Sequence, residues 1–405
     1  GRRPGNGLRL ALSGQRCGRS RVRARTFLWT RAERGLVTPF ERRTQAVQAA
    51  LRDTGADALV CVPGRTLQYL TGFDEPQRDR HLLFVVPAGG DPAAFVPALS
   101  AAQFRAETWV GEIETWADDD DPVAALAAFL DDLDVPTAPH LLVEDTMWAT
   151  ILQDVRSVRP DATIGLASEV VADRRIRKDD AEVDAIRRAS AAADDAVRAV
   201  RALGADAVGL TEAELAGRIE SFLADAGGEG VSFEPIVGSG PNGAMPHHTH
   251  GDREIRAGEP VVLDFGTRID GYPSDQTRTV VFDGDPDERV QEVHDVVRRA
   301  QAAAVDAVGP GVIAGAVDDA ARSVIEAAGY GDAFIHRTGH GVGLDVHEPP
   351  DIAAGNELEL RPGMIFSVEP GIYLEGDFGV RIEDLVVVSD AGCERLNHTS
   401  RGLEC

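Results

Sequence analysis

Residues 209–248 read GLTEAELAGRIESFLADAGGEGVSFEPIVGSGPNGAMPHH, and residues 311–348 read GVIAGAVDDAARSVIEAAGYGDAFIHRTGHGVGLDVHE. The two stretches share one grammar. Each runs from a glycine start through an amphipathic helix to a glycine stop, then a short apolar strand, a glycine-rich loop and a histidine. Thr211 and Glu214 carry the signature of a capping box at the first of these helices. Each unit is followed by a pair of strands, in 258–282 and in 363–388. A helix–strand unit used twice predicts an α+β domain with pseudo-twofold symmetry and a site between its halves.

The text upstream has a different rhythm. From Pro39, ERRTQAVQAALRDTGADALVC has the apolar spacing of a helix, then a glycine stop, then a short strand. HLLFVVPAG (81–89) and HLLVED (140–145) read as buried strands, and DPVAALAAFLDDL as a helix opened by Asp121 and Pro122. This alternation predicts an α/β domain over 39–170 with a mostly parallel or mixed sheet. No phosphate-cradling glycine loop follows its strands, and no chemistry is legible there. The Ala- and charge-rich stretch from 171 reads as a boundary and then a helix opening the second domain, 171–397. Residues 398–405 read as a tail.

Composition narrows the function classes. The chain has 405 residues, room for two or three domains, and 43% hydrophobic residues suit a large core. No apolar run reaches the eighteen or so residues of a membrane span. Cys17, Cys61, Cys393 and Cys405 form neither a metal-type pair nor a disulfide framework, which points to a reducing cytoplasm. The net charge is −26, yet residues 1–36 carry ten arginines against one glutamate. The remainder therefore stands near −35, which repels nucleic acid and anionic membranes.

Lys178 is the only lysine. An acidic, lysine-poor body resembles proteins of salt-loving archaea; a GC-rich genome is the alternative source of that bias. The basic head has no hydrophobic periodicity. It reads as a nucleic-acid arm or as a start set too far upstream, with the true start near Val37. Either way, residues 1–38 are expected to be a poorly ordered extension.

Two clumps of polar residues interrupt the second half. His336, His340 and His347 lie among glycines, and His247, His248 and His250 cluster at PHHTH. These are open to three readings: metal ligands, acid–base groups or loop residues. Acids also appear where strands call for apolar residues: Asp264 in VVLDFG, Asp275 in YPSDQTRTVVF, Glu369 in FSVEPG and Glu383 in VRIEDLVVV. Alternation allows some of them to face solvent. Asp264 and Glu383 fit that poorly, and buried acids must be neutralised, paired or bound to a cation. Four carboxylates and one imidazole favour manganese, iron, cobalt or zinc over calcium.

The strings LDFG, SDQTRTV, TGHGVGLDVHE, SVEPGIY and VRIEDLVVV resemble, in order and spacing, those of the pita-bread metallopeptidases. That family includes methionine aminopeptidase, aminopeptidase P, prolidase and creatinase. The similarity covers about 171–397, and 39–170 is similar to the creatinase-type N-terminal domain. The resemblance implies two divalent metal ions, manganese foremost, with cobalt or zinc as alternatives. Asp264 would hold one ion, His340 and Glu369 the other, and Asp275 and Glu383 would bridge them.

By the same resemblance His247 and His347 would face the substrate and steady the oxyanion, and Glu369 would move a proton to the leaving nitrogen. Arg381, two residues from Glu383 and so on the same strand face, is expected to orient a carboxylate or contact substrate, with a purely structural pairing as the alternative. His336 would be structural, and His248 and His250 loop neighbours. The N-terminal domain speaks against methionine aminopeptidase, and the intact ligands against creatinase. What remains is hydrolysis of the bond between an N-terminal residue and proline, by an Xaa-Pro dipeptidase or aminopeptidase, in a homodimer. Asp351 stands where several prolidases carry an arginine, which weakens the strict dipeptidase reading. A non-peptide amide hydrolase of the ectoine-hydrolase kind and a non-catalytic peptide-binding protein are the alternatives.

Overall fold

The structure, a computed structural model, describes Gly1 and residues 37–404. The readings made for the basic segment 2–36 lie outside the described residues. The helix expected from Pro39 is α1 (Pro39–Thr54); Thr38 and Glu41 cap it reciprocally, each side chain accepting from the other's backbone N–H. There follow β1 (Ala58–Cys61), α2 (Arg65–Thr71), β2 (Leu83–Pro87), β3 (Ala93–Pro97), α3 (Ala98–Glu107) and β4 (Glu112–Trp116). Then come α4 (Pro122–Asp132), β5 (His140–Val143), α5 (Ala149–Val158), β6 (Thr163–Leu166) and α6 (Ser168–Arg175).

The six strands form one mixed sheet in the order β4-β3-β2-β1-β5-β6. β2 runs antiparallel to both its neighbours, and the other pairings are parallel. Central strands here are apolar on both faces because both faces are covered. Leu59 and Cys61 enter the core that holds Val47 of α1 and Leu67 of α2, while Ala58 and Val60 enter the one that holds Leu126 of α4 and Ile151 of α5.

The second half opens with α7 (Asp180–Arg201) and α8 (Glu212–Asp225), whose predicted Thr211–Glu214 capping box is present. Next come β7 (Ile236–Ser239), β8 (Pro260–Phe265), β9 (Arg268–Ile269), β10 (Tyr272–Pro273) and β11 (Gln276–Val281). α9 (Glu288–Ala307) and α10 (Ala314–Ala327) follow, then β12 (Gly339–Gly341), β13 (Glu348–Ile352), β14 (Ile365–Val368), β15 (Gly371–Leu374), β16 (Phe378–Arg381), β17 (Asp384–Ser389) and β18 (Gly392–Arg395).

The predicted repeat is visible in the strand order. The first half forms β11-β8-β7, and the second contains β17-β14-β12 between β18 and β13. In each half an antiparallel long pair, β8/β11 or β14/β17, is interrupted at its tip by a small hairpin, β9/β10 or β15/β16. Helices α7 and α8 pack on the first sheet and α9 and α10 on the second. The last described residues pack too: Val281 N donates to the Leu403 carbonyl at 2.8 Å, and Arg278 Nε to the Ser400 carbonyl at 3.0 Å.

Candidate metal centre

Strand alternation sends one face of each long pair to the helices and the other to the middle of the domain. Val261, Leu263 and Phe265 of β8 join the α7/α8 core, which leaves Val262 and Asp264 on the inner face. Thr277 of β11 sits opposite Asp264 and Thr279 opposite Val262, so Asp275, Thr277 and Thr279 share that face. In the second half Val386 and Val388 of β17 join the α9/α10 core, and Glu383 takes the opposite parity. The acids therefore sit at symmetry-related places. Asp264 and Glu369 mark the ends of outgoing strands, and Asp275 and Glu383 immediately precede the returning ones.

The structure brings all five expected ligands to one place. Asp275, His340 and Glu383 each offer an atom within 4.8 Å of the other two. Glu369 Oε1 lies 3.2 Å from His340 Nε2 and accepts from Ser367 Oγ at 3.0 Å. Asp264 Oδ2 accepts from Arg381 Nη2 at 2.6 Å. His340 is held by its neighbours: its backbone N–H donates to Ser367 Oγ (3.0 Å) and its Nδ1 to the Gly341 carbonyl (3.2 Å). With Nδ1 committed to that carbonyl, Nε2 is the nitrogen that faces the carboxylates. Buried Asp318 of α10 fixes the strand's approach, accepting from Thr338 N at 2.9 Å and Thr338 Oγ1 at 2.7 Å.

The flanking glycines have a steric reason. A β-carbon at Gly339 would enter the Ser367 carbonyl, and one at Gly341 the Pro349 carbonyl. They admit the neighbouring strands on both sides of His340, a more specific cause than room for a metal.

The cage is acidic and under-compensated. Asp264 Oδ1, Asp275 Oδ1 and Glu383 Oε1 are buried without a hydrogen-bond partner. Burial, then the charges of Glu383, Asp264 and Glu369, push the Asp275 carboxyl well above its ordinary range. Glu383 is raised likewise, by burial first and then by Glu369 and Asp264. Burial raises Asp264 as well, against the pull of Arg381. Glu369 goes the other way: burial opposes its ionisation, but the hydrogen bond and charge of His340 hold it at about 2. Orphaned oxygens, mutual repulsion and one inward imidazole are the donor set a pair of divalent cations would satisfy, so the residues fit the metal centre expected for them.

Outside the ligands, Arg381 is buried, and each of its three side-chain nitrogens has a partner. Its Nε donates to Thr277 Oγ1 (3.1 Å), Nη1 to Tyr373 OH (2.9 Å) and the Pro246 carbonyl (3.4 Å), and Nη2 to Asp264. These contacts set its guanidinium on the Asp264 carboxylate. Its Pro246 contact anchors the loop carrying His247 beside the cage. His347 stands at the solvent edge, packed on one side against the His340 ring with centroids 4.0 Å apart. Burial and the His340 charge lower it to about 4, so it is a neutral imidazole near pH 7. His336 bonds Tyr373 OH at 2.8 Å through Nε2 and the Arg337 carbonyl at 2.7 Å through Nδ1.

Sequence reasoning passed over Thr277, Ser367 and Tyr373. Thr277 Oγ1 donates to Glu383 Oε2 at 2.7 Å, and the hint was a hydroxyl with the parity of Asp275. It also underread His248, whose Nε2 lies 2.8 Å from Oε2 of the wholly buried Glu212. That carboxylate gathers Ser239, Asn242 and His248, and so shapes the loop leading to His247.

This chain belongs to metallopeptidase family M24, matched over residues 184–390, with a creatinase/prolidase N-terminal domain matched over 43–177. It is a metal-dependent peptidase, with the creatinase-like and pita-bread domains expected of it. It is 43% identical over 366 residues to the probable dipeptidase PepE of Mycobacterium tuberculosis, a match spanning 89% of this chain and 94% of that one. The Xaa-Pro dipeptidase of Lactobacillus delbrueckii subsp. lactis is 35% identical over 360 residues, 88% of this chain and 97% of that one. Among solved structures, the prolidase from Thermococcus sibiricus superposes with a TM-score of 0.86 at 38% identity, covering 91% of this chain and 99% of that one.

Proposed function

We propose that the chain is an Xaa-Pro dipeptidase that hydrolyses small peptides with proline second, using two divalent cations, manganese foremost. The observation that carries the metal reading is the buried group of Asp275, His340 and Glu383, in which both carboxylates keep an oxygen without a hydrogen-bond partner. The likeness to the Xaa-Pro dipeptidase of Lactobacillus and the prolidase of Thermococcus supports the substrate.

Asp264, Asp275, His340, Glu369 and Glu383 would hold the ions. Bound there, divalent cations supply Lewis acidity, lowering the pKa of water toward neutrality and polarising a carbonyl. The chain's own groups do the rest. Neutral His347, together with His247, donates a hydrogen bond to the oxygen of the attacked carbonyl as it gains charge. Glu369 receives the proton of the attacking water and returns it to the proline nitrogen as the bond breaks. Arg381 fixes the Asp264 carboxylate and offsets part of the cage's negative charge.

We read the protein as cytoplasmic, homodimeric and adapted to high salt. Cys61 and Cys393 are free thiols, and no helix among the described residues is long and apolar enough to cross a membrane. The acidic body supports the salt reading and argues against nucleic acid and anionic membranes as partners. The test is hydrolysis of Gly-Pro and of a Xaa-Pro tripeptide by the manganese-loaded protein. Turnover of Gly-Pro supports the dipeptidase; cleavage of the tripeptide alone replaces it with an aminopeptidase; cleavage of neither refutes the reading.

A further inference from the structure

Glu348 directly follows His347, yet the two side chains have opposite surroundings. His347 reaches solvent, whereas the Glu348 side chain is 6% exposed. Its Oε1 accepts from Lys178 Nζ at 2.8 Å and its Oε2 from Arg175 Nη2 at 2.7 Å. Lys178, the only lysine of the sequence, is 1% exposed at its side chain. Both cations come from the segment that joins the first sheet to α7. Burial opposes the Glu348 charge, but Lys178 and Arg175 outweigh it and keep the carboxyl below its ordinary range.

The same loop is gripped elsewhere. Arg175 Nη2 also donates to Asp345 Oδ2 at 2.8 Å, and Arg65 of α2 lies 3.5 Å from Asp345 Oδ1. Arg268 donates to the Leu344 carbonyl at 3.2 Å. A β-carbon at Gly343 would run into the Glu348 carboxylate, so the loop closes directly over that group. On the other side Glu348 pairs in register with Gly341, one residue from His340. The backbone between the two histidines is therefore pinned at both ends.

Stability is a weak reason for such a cluster, because buried ion pairs commonly do no better than apolar side chains of the same volume. Fixing a register is a better one. We propose that the Lys178–Glu348–Arg175 cluster is a positioning device for His347, through which the segment after the N-terminal domain sets the imidazole over the metal cage. Lys178, Arg175 and Glu348 touch no substrate; they act through the neighbouring residue. A displacement of the imidazole of roughly 1 Å is enough to cost on the order of a hundredfold in rate.

The inference rests on the substrate-facing role given to His347 above, and a double-mutant cycle separates the two. Lys178→Met, His347→Ala and their combination are loaded with manganese and assayed on Gly-Pro, with metal content and melting temperature measured on the same samples. Lys178→Met is expected to keep its metals and to lower kcat by about ten- to a hundredfold with KM within about threefold. In the His347→Ala background it should cost nothing further, and Lys178→Arg should restore most of kcat. If Lys178→Met does not fold, Glu348→Gln enters the cycle in its place. Losses that multiply, or a folded, metal-loaded variant with unchanged kcat, overturn the inference. A His347→Ala enzyme as fast as the unsubstituted one overturns the role of His347 itself, and the inference with it.

Discussion

Thr277→Val is the most informative single change near the cage. The two side chains have nearly the same shape, and Thr277 is wholly buried, so the substitution removes one hydroxyl and little packing. That hydroxyl donates to Glu383 Oε2 at 2.7 Å and accepts from Arg381 Nε at 3.1 Å. Glu383 Oε1 already lacks a partner, so the variant leaves the whole carboxylate unsupported. A hydrogen bond to a charged group contributes about 1.5–3 kcal/mol. At about 1.4 kcal/mol per factor of ten, that is roughly a 10- to 150-fold change in an equilibrium constant.

Loss of a partner behind a metal ligand commonly costs about 10- to 100-fold in affinity or activity, which agrees. The lost bond also stabilised the ionised form, so the Glu383 carboxyl moves further up. A carboxylate must be deprotonated to ligate, so the deficit should widen as pH falls. Manganese affinity, measured by competition with a chelator at two pH values, is the assay, with kcat/KM beside it. Thr279→Val is the control: Thr279 Oγ1 bonds only the Arg381 backbone, so it should lower stability without changing metal affinity. Thr277→Val with affinity and activity within about twofold of the unsubstituted protein would refute the account of the cage.

Other outcomes follow from the same geometry. His340→Ala removes the inward imidazole and should abolish most metal retention and turnover while the fold persists; elemental analysis and circular dichroism check this. Burial pushes Glu144, in the first sheet's core, up to about 7 from 4.5, with Thr66 pulling the other way. Its folded value lies above its unfolded one, so the stabilisation is full below 4.5 and is lost as pH rises through about 7. Glu144→Gln should therefore raise the urea midpoint at pH 8, by up to about 3 kcal/mol of stability, and not at pH 4. Dialysis from molar to dilute salt lengthens the Debye length from about 3 Å to about 10 Å, so the acidic body should lose melting temperature and activity, more slowly with excess manganese. Unchanged melting in dilute buffer would favour genome composition as the cause of the missing lysines.

What was legible in the sequence is what has a local signature. The repeat showed because each half must bury its own helices on its own strands. Asp264 and Glu383 showed because an acid inside an apolar strand has no cheap resting place. Thr277, Ser367 and Tyr373 escaped because a hydroxyl in a strand is unremarkable until its partner is known. Thr277 meets Glu383 106 residues away, and Lys178 meets Glu348 170 residues away. His248 was underread for the same reason, since Glu212 lies 36 residues upstream at the start of a helix. The strand pair of the second half was also more nested than its text suggests. β15/β16 folds back inside β14/β17, and that nesting delivers Glu369 and Glu383 to the same depth.

The central claim is a two-cation peptidase centre built from Asp264, Asp275, His340, Glu369 and Glu383. Metal-free protein titrated with manganese, with Gly-Pro hydrolysis followed at each addition, tests it most directly. The account predicts that activity rises to saturation at two equivalents per chain. Full activity at one equivalent, or none with manganese in excess, would contradict it.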